Sequence, residues 1–197
     1  MNNKYEDFKL KMDIKPGAYH GNTVRKNITQ SLWKKIRSSV LEERNYACTI
    51  CGYQPPVEEF KKLHVHEVEE YGEDELLCIL KDLDLICVNC HSWQHIGRTF
   101  SKLNNEQINK LKLHFISVNN CSEDDYKEYL RKFKIRKREA ALKAIEVEVK
   151  MLGKNTVLDN LVLYRIEGAI PFKEEVIKQL ANKGLYRFYD DEDELMI

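Results

Sequence analysis

The spacing of apolar residues predicts three helices before residue 143. Apolar positions recur every three or four residues over 29–45, with basic residues on the other faces. A second helix over 104–118 begins at a capping asparagine, and a third over 122–142 begins at Ser122, which three acidic residues follow. These helices frame a shorter segment with a different pattern.

That segment alternates apolar and polar residues, which predicts a β-hairpin. Residues 63–71 alternate, a Gly-Glu-Asp turn follows, and the apolar stretch 76–80 supplies a second strand. Polar residues after position 87 and a closing Gly97 predict a short helix that ends near that glycine. The local order is therefore strand, strand, helix.

Breaks in these patterns predict an α+β protein of four parts. Residues 1–28 form an arm that packs irregularly or stays mobile, 29–103 form the hairpin module, and 104–152 form a helical extension. Residues 153–197 form a small α+β appendage, with a strand over 161–166, a helix over 171–184, a strand over 185–189 and an acidic tail over 190–194.

Composition limits the class of protein. The 197 residues are 43% hydrophobic, and the 32 basic residues balance the 32 acidic ones, so any affinity for nucleic acid must come from local charge. No apolar run approaches the roughly 20 residues of a membrane helix, and the first 15 residues lack a signal-peptide core. We therefore expect a soluble, cytoplasmic protein.

Four of the six cysteines form two Cys-x-x-Cys pairs with 35 residues between them. Four thiolates at such spacing are typical of a closed tetrahedral zinc site, which would hold the fold rather than perform catalysis. Two independent redox pairs are the alternative. The predicted ligands are Cys48, Cys51, Cys87 and Cys90.

Three histidines predict a second metal site. His91 and His95 are four residues apart and share a helix face. His66 on the first strand would add a third imidazole, which gives a divalent-metal site with an open coordination position. Two alternatives remain: these histidines are hydrogen-bonded structural residues, or one of them replaces a cysteine at the zinc site.

Residues 32–97 resemble an HNH endonuclease of the ββα-metal type with a zinc-ribbon frame. The motifs that carry the resemblance are Cys-x-x-Cys-Gly at 48–52, His-Glu-x-x-Glu-Tyr at 66–71, and Cys-x-x-Cys-His-x-x-x-His-Ile-Gly at 87–97. The resemblance implies a zinc-framed ββα-metal module, followed here by the helical extension and the appendage. It also implies that His66, His91 and His95 bind the catalytic metal.

The chain departs from the family pattern at two positions. Glu67 stands where the family usually has its general-base histidine, and Asp82 where an asparagine often orients that base. A carboxylate can accept a proton from water, although its ordinary pKa of about 4.3 makes it a weaker base than histidine. His64, on the same strand, is the next candidate.

The resemblance implies metal-dependent hydrolysis of phosphodiester bonds in DNA, in a phage, mobile-element or anti-phage defence setting. The second metal would be Mg²⁺, Mn²⁺, Ni²⁺ or Zn²⁺, and three imidazoles suit magnesium least. The rival hypothesis is a catalytically silent zinc module that binds nucleic acid or a partner protein. The discriminating feature is whether the Glu67 carboxylate and the three histidines converge on one open metal site, since divergence would favour the rival.

Basic residues after the hairpin module are candidates for contact with DNA. Seven of the twelve residues 127–138 are Lys or Arg, whereas residues 58–75 carry eight acids and two lysines and would repel a phosphate backbone. A solvated surface is the alternative for each of these charges. The acidic tail would bind a basic partner protein or cover the chain's own basic helix. The predicted substrate contacts are Arg98, Arg131, Lys134, Arg136, Lys137 and Arg138.

Overall fold

A computed structural model describes residues 4–72, 75–152 and 162–188, without the side chains of residues 98, 147, 148 and 150–152. The described chain is α+β, as predicted. Its elements, in order, are α1 (Val24–Asn27), α2 (Gln30–Glu43), β1 (Leu63–Tyr71), β2 (Leu77–Cys87), α3 (Val88–Gln94), α4 (Ile96–Phe100), α5 (Asn105–Asn119), α6 (Glu123–Leu152), β3 (Leu163–Ile166) and α7 (Lys173–Asn182).

The three strands form one sheet in the order β1-β2-β3. Five residues connect β1 to β2, too few for a parallel crossover, so these two strands form an antiparallel hairpin. β3 pairs with β2 in parallel, in a register that sets Leu77 opposite Leu163 and Leu80 opposite Ile166. β2 therefore lies at the centre of the sheet and ends at a predicted metal ligand, Cys87.

Elements with strong end signals lie where they were predicted. β1 spans 63–71. α5 begins after Asn104, whose side chain accepts a hydrogen bond from Gln107 N while the Gln107 side chain accepts one from Asn104 N. Ser122 Oγ accepts a hydrogen bond from Asp125 N and caps α6. These reciprocal bonds satisfy amide groups that a helix leaves unpaired at its start.

Four predicted boundaries were wrong. β2 continues to Cys87 instead of ending near Leu80, because polar and apolar residues keep alternating over 82–85. α6 continues to Leu152 instead of ending near 142, because no glycine or proline interrupts it before Gly153. Gly97 lies inside α4 instead of closing a helix. Within 185–188 the structure has one isolated bridge, from Tyr186 to Tyr164, where a strand was predicted. Residues 153–161 and the acidic tail lie outside the described residues.

The chain divides into two compact units, each assembled from three stretches. The first unit consists of Met1–Lys15, Leu41–His66 and Asp84–Leu142. Its core is aromatic: the Trp93 ring lies 5.0 Å from that of Phe115, and Phe115 lies 5.3 Å from Tyr129. The N-terminal segment packs irregularly here, and Asn119 bonds both the amide and the carbonyl of Leu10.

The second unit consists of Pro16–Val40, Glu67–Leu83 and Lys143–Ile197. Buried residues of α2 lie on one face at helical spacing, and α7 buries Val176 and Leu180. The Tyr164 side chain of β3 is fully buried, and its hydroxyl accepts a hydrogen bond from the Asn27 side chain. Within the described residues, no helix is both long and apolar enough to cross a membrane.

Candidate metal centres

The four cysteines come together in the first unit. Two come from the turn after α2, Cys87 ends β2, and Cys90 lies one turn into α3, and their sulfur atoms all lie within 4.8 Å of one another. The sulfurs of Cys51 and Cys87 are 3.7 Å apart. Two thiolates bound tetrahedrally to one zinc ion at about 2.3 Å would lie about 3.8 Å apart, so the donor set fits that ion.

Backbone hydrogen bonds hold the first cysteine pair in a tight turn. Cys48 N donates to Tyr53 O at 2.9 Å, and Gly52 N donates to Cys48 O at 2.8 Å. Gly52 has a φ of +74°, a conformation that a side chain disfavours. Thr49 N then donates to Leu85 O at 2.8 Å and fixes this turn against β2.

The four thiols of the cluster share hydrogen bonds. Bonds from the Cys51, Cys87 and Cys90 thiols to the Cys48 sulfur lower the pKa of Cys48, while their bonds with Cys48 and Cys51 raise the pKa values of Cys87 and Cys90. Three of the four cysteines are buried: Cys48, Cys87 and Cys90. The four sulfurs would supply all four ligands of a tetrahedral ion. The cluster could therefore hold a structural metal ion such as zinc.

Sequence reasoning missed one residue at this site. His114 of α5 has its Nε2 atom 3.2 Å from the sulfur of Cys90. Together with Lys62 and Cys87, it also lines an open cavity of about 450 Å³. An isolated histidine on an amphipathic helix has no informative spacing to any cysteine, so the sequence contains no signal for this contact.

The three predicted histidines also come together in the first unit. The nitrogen atoms of His66, His91 and His95 lie within 4.8 Å of one another. The ring centroid of His91 is 4.6 Å from that of His95, and the centroid of His66 is 5.5 Å from that of His95. One strand residue and two residues one helical turn apart therefore point at a common centre.

This cluster has the properties of an open site. His95 is exposed, and it occupies the break between α3 and α4. Burial, reinforced by the charges of His95 and Lys15, lowers the pKa of His66 to about 4, so its imidazole is neutral at neutral pH. A neutral imidazole is the form that binds a metal ion, and three ligands leave at least one position for water or substrate.

His64 lies on the same face of β1 as His66, since side chains two apart in a strand point the same way. Its ring stacks on that of His91, with centroids 4.6 Å apart and planes 6° from parallel. The fourth histidine of this region therefore contacts a predicted ligand directly.

Within the described residues, neither carboxylate predicted for catalysis belongs to a cluster of possible metal ligands. Glu67 follows His66 in a strand and takes the opposite face, and its Oε1 accepts a hydrogen bond from Arg25 N at 2.9 Å. Asp82 Oδ1 accepts one from Leu83 N at 2.7 Å. Their catalytic roles remain predictions.

Five of the six predicted substrate contacts lie on the exposed side of α6. The exposed residues include Lys134, Arg136, Lys137 and Arg138. Arg131 forms a bidentate ion pair with Glu128. The Lys137 ammonium lies 3.8 Å from where a Cβ atom would stand on Gly97, two residues beyond His95. The Arg98 side chain lies outside the described residues.

Comparison of the chain with protein-family models, with curated proteins and with solved structures finds no match.

Proposed function

We propose that the protein hydrolyses phosphodiester bonds in DNA with a divalent metal ion held by three histidines. The observation that carries this proposal is the convergence of His66, His91 and His95 on one open site beside a four-cysteine cluster. The sequence resemblance to HNH endonucleases supports the same assignment.

The chain's own residues would divide the work. The three imidazoles would hold the ion, which when bound would supply Lewis-acid chemistry at the phosphate and at the leaving oxygen. Lys137, close to Gly97, is placed to attract a phosphate. The proton of the attacking water would go to a general base. His64, whose ring stacks on that of His91, is placed for this role, whereas the Glu67 carboxylate lies on the opposite face of β1 and accepts a hydrogen bond from Arg25 N.

A cleavage assay tests the proposal. Purified protein is incubated with plasmid and single-stranded DNA in Mg²⁺, Mn²⁺, Ni²⁺ or Zn²⁺, beside the His91→Ala variant. His91→Ala should lose the second metal ion and the activity together. His20→Ala is the matched control, since His20 is an exposed histidine outside both clusters. Failure of the parent protein to cut DNA with any of these ions would refute the proposal.

A second pair of variants identifies the base. Glu67→Gln and His64→Gln keep the size and hydrogen-bonding capacity of each side chain while removing its ability to accept a proton. The variant at the true base should slow hydrolysis by about 10² to 10⁴ and still bind the metal. The expected result is undiminished cleavage in Glu67→Gln with a large loss in His64→Gln, and the reverse pattern would return the role to Glu67.

One observation favours a second candidate function, a zinc module that binds DNA without cutting it. Glu67 accepts a hydrogen bond from a backbone amide, and the histidine cluster of the described residues contains no carboxylate. Such a module would bind DNA in a gel-shift assay and show equal affinity in His91→Ala and in the parent protein, with no cleavage in either.

A further inference from the structure

An open cavity of about 240 Å³ lies between the N-terminal segment and α6, within the first unit. Tyr5 and the exposed Ile135 form part of its apolar wall, and Lys11, Lys132 and Arg136 supply cations. No step of the proposed hydrolysis uses this cavity. Its volume is below the about 300 to 1,000 Å³ of sites for drug-sized ligands, so it suits one planar ring system.

The cavity combines aromatic rings with cations placed over them. The Lys132 ammonium lies 4.6 Å from the centre of the Tyr5 ring, and the Arg136 guanidinium lies 5.6 Å from the centre of the Tyr129 ring. The Tyr129 hydroxyl accepts a hydrogen bond from Met12 N, which anchors the N-terminal segment to α6. The wall that carries Tyr5 is therefore held in place beside the basic helix.

The charge of the lining selects the ligand. Three cations face a single carboxylate, Glu6, so the cavity attracts an anion. An anion that also has a planar apolar face fits both halves of the lining. A nucleotide meets this description, because its base can lie against an aromatic or aliphatic wall while its phosphate pairs with Lys or Arg.

We propose that this cavity binds one unpaired nucleotide of a single-stranded DNA segment. A base in a duplex must leave its stack and its partner before it can enter a concave site, whereas an unpaired base does not bear the cost of unpairing. The base would contact Tyr5 and Ile135, and the flanking phosphates would contact Lys132 and Arg136. The inference rests on the proposed function and deepens it by assigning an unpaired strand to this cavity, apart from any duplex that the exposed cations of α6 contact.

Fluorescence anisotropy with labelled oligothymidylate tests this site. The His91→Ala chain is the background for all measurements, so that cleavage cannot interfere with binding. Tyr5→Leu should weaken binding about five- to a hundredfold, the usual effect of removing one base–aromatic contact. Tyr53→Leu removes an exposed tyrosine outside the cavity and should leave the affinity unchanged.

Three further probes separate the proposal from its alternatives. On an abasic strand of the same length, the Tyr5→Leu protein should bind as tightly as the His91→Ala background. On duplex DNA the two proteins should also bind equally. Tyr5→Trp should bind the base-containing strand at least as well as the parent, which excludes a folding defect as the cause. Equal losses on abasic and base-containing strands would overturn the proposal.

Free thymidine monophosphate is the last probe. If it binds at this cavity while oligothymidylate does not, the site takes a free nucleotide and the proposal is wrong. The outcome is separate from the proposed hydrolysis: Tyr5-dependent binding of the strand without any cleavage by the parent protein would refute the enzyme and keep this site.

Discussion

The His114 imidazole lies against the sulfur of Cys90, where its Nε2–H can donate to a thiolate once zinc is bound. Such a hydrogen bond reduces the charge on a site of four thiolates and stabilises the ligand in place. We predict that His114→Ala releases zinc to a chromophoric chelator about 10- to 100-fold faster than the parent protein. His20→Ala serves as the control, and equal rates in all three proteins would contradict the prediction.

His66 gives the protein a pH dependence whose sign follows from its lowered pKa. Its pKa is about 4 in the folded chain and about 6.5 when unfolded, so between these values the unfolded state binds more protons. Folding stability should therefore fall as the pH drops from about 6.5 to about 4. His66→Gln should flatten this part of a plot of melting temperature against pH, and an identical slope in both proteins would contradict the assignment.

The site residues differ in how far the sequence could predict them. His66, His91 and His95 were predictable because strand position and a four-residue helical spacing place their side chains together. The contact between His114 and Cys90 was not, since it depends on how α5 packs against α3. The hydrogen bond from Arg25 N to Glu67 likewise joins residues 42 positions apart and has no local signal.

At the scale of elements, the turn that holds the first cysteine pair depends on Gly52. Nothing lies within 4 Å of a Cβ atom added there, so Gly52→Ala would act only through its φ of +74°. We predict a loss of about 1 to 2 kcal/mol in the free energy of unfolding by urea. Gly17→Ala is the matched control, because its added methyl group also meets open space and its φ is not positive. Equal stabilities would show that the turn tolerates alanine.

The exposed cations of α6 predict salt-dependent binding to duplex DNA. Removing three phosphate contacts should reduce the slope of log affinity against log salt by roughly three units, since each contact contributes about 0.9. The test compares the Lys134, Arg136 and Lys137 triple alanine variant with the parent at several salt concentrations. A Lys178, Lys183 double alanine variant on the surface of the second unit is the control. An unchanged slope would show that α6 is only a solvated surface.

Elements with local end signals were predicted well, and elements without them were not. The alternation over 63–71 and the capping Asn104 each act within a few residues, so β1 and α5 could be located from sequence. Residues 145–149 alternate Ile-Glu-Val-Glu-Val, a strand-like pattern, yet they continue α6. Their helical state follows from the preceding turns, since extending a helix costs less than starting a new element.

At the scale of the whole molecule, the two clusters predict two metal ions of unequal lability. Structural zinc binds with on the order of 10 kcal/mol or more in small sites, and we expect weaker binding at the histidine site, because it supplies three protein ligands instead of four and His95 is exposed. Mild chelation should therefore remove the ion of the histidine site and leave the circular dichroism spectrum unchanged. Removal of the ion held by the four cysteines should unfold the first unit.

Cys87→Ser is the control for that titration. It should lose the tightly held ion and its cooperative thermal transition together, because the serine hydroxyl is a poor ligand for zinc. Elemental analysis that finds no zinc in the purified parent protein, or a Cys87→Ser protein with an unchanged melting temperature, would contradict the assignment of the cysteine cluster.

The position of the cysteines along the chain has a consequence for the order of folding. A metal ion bridging Cys51 and Cys87 closes a loop of 35 intervening residues, and that loop contains His66. Part of the entropic cost of ordering the segment around His66 would then already be met, so bringing His66 to His91 and His95 would cost less than in the open chain. We therefore expect binding of an ion at the cysteine cluster to favour assembly of the histidine site.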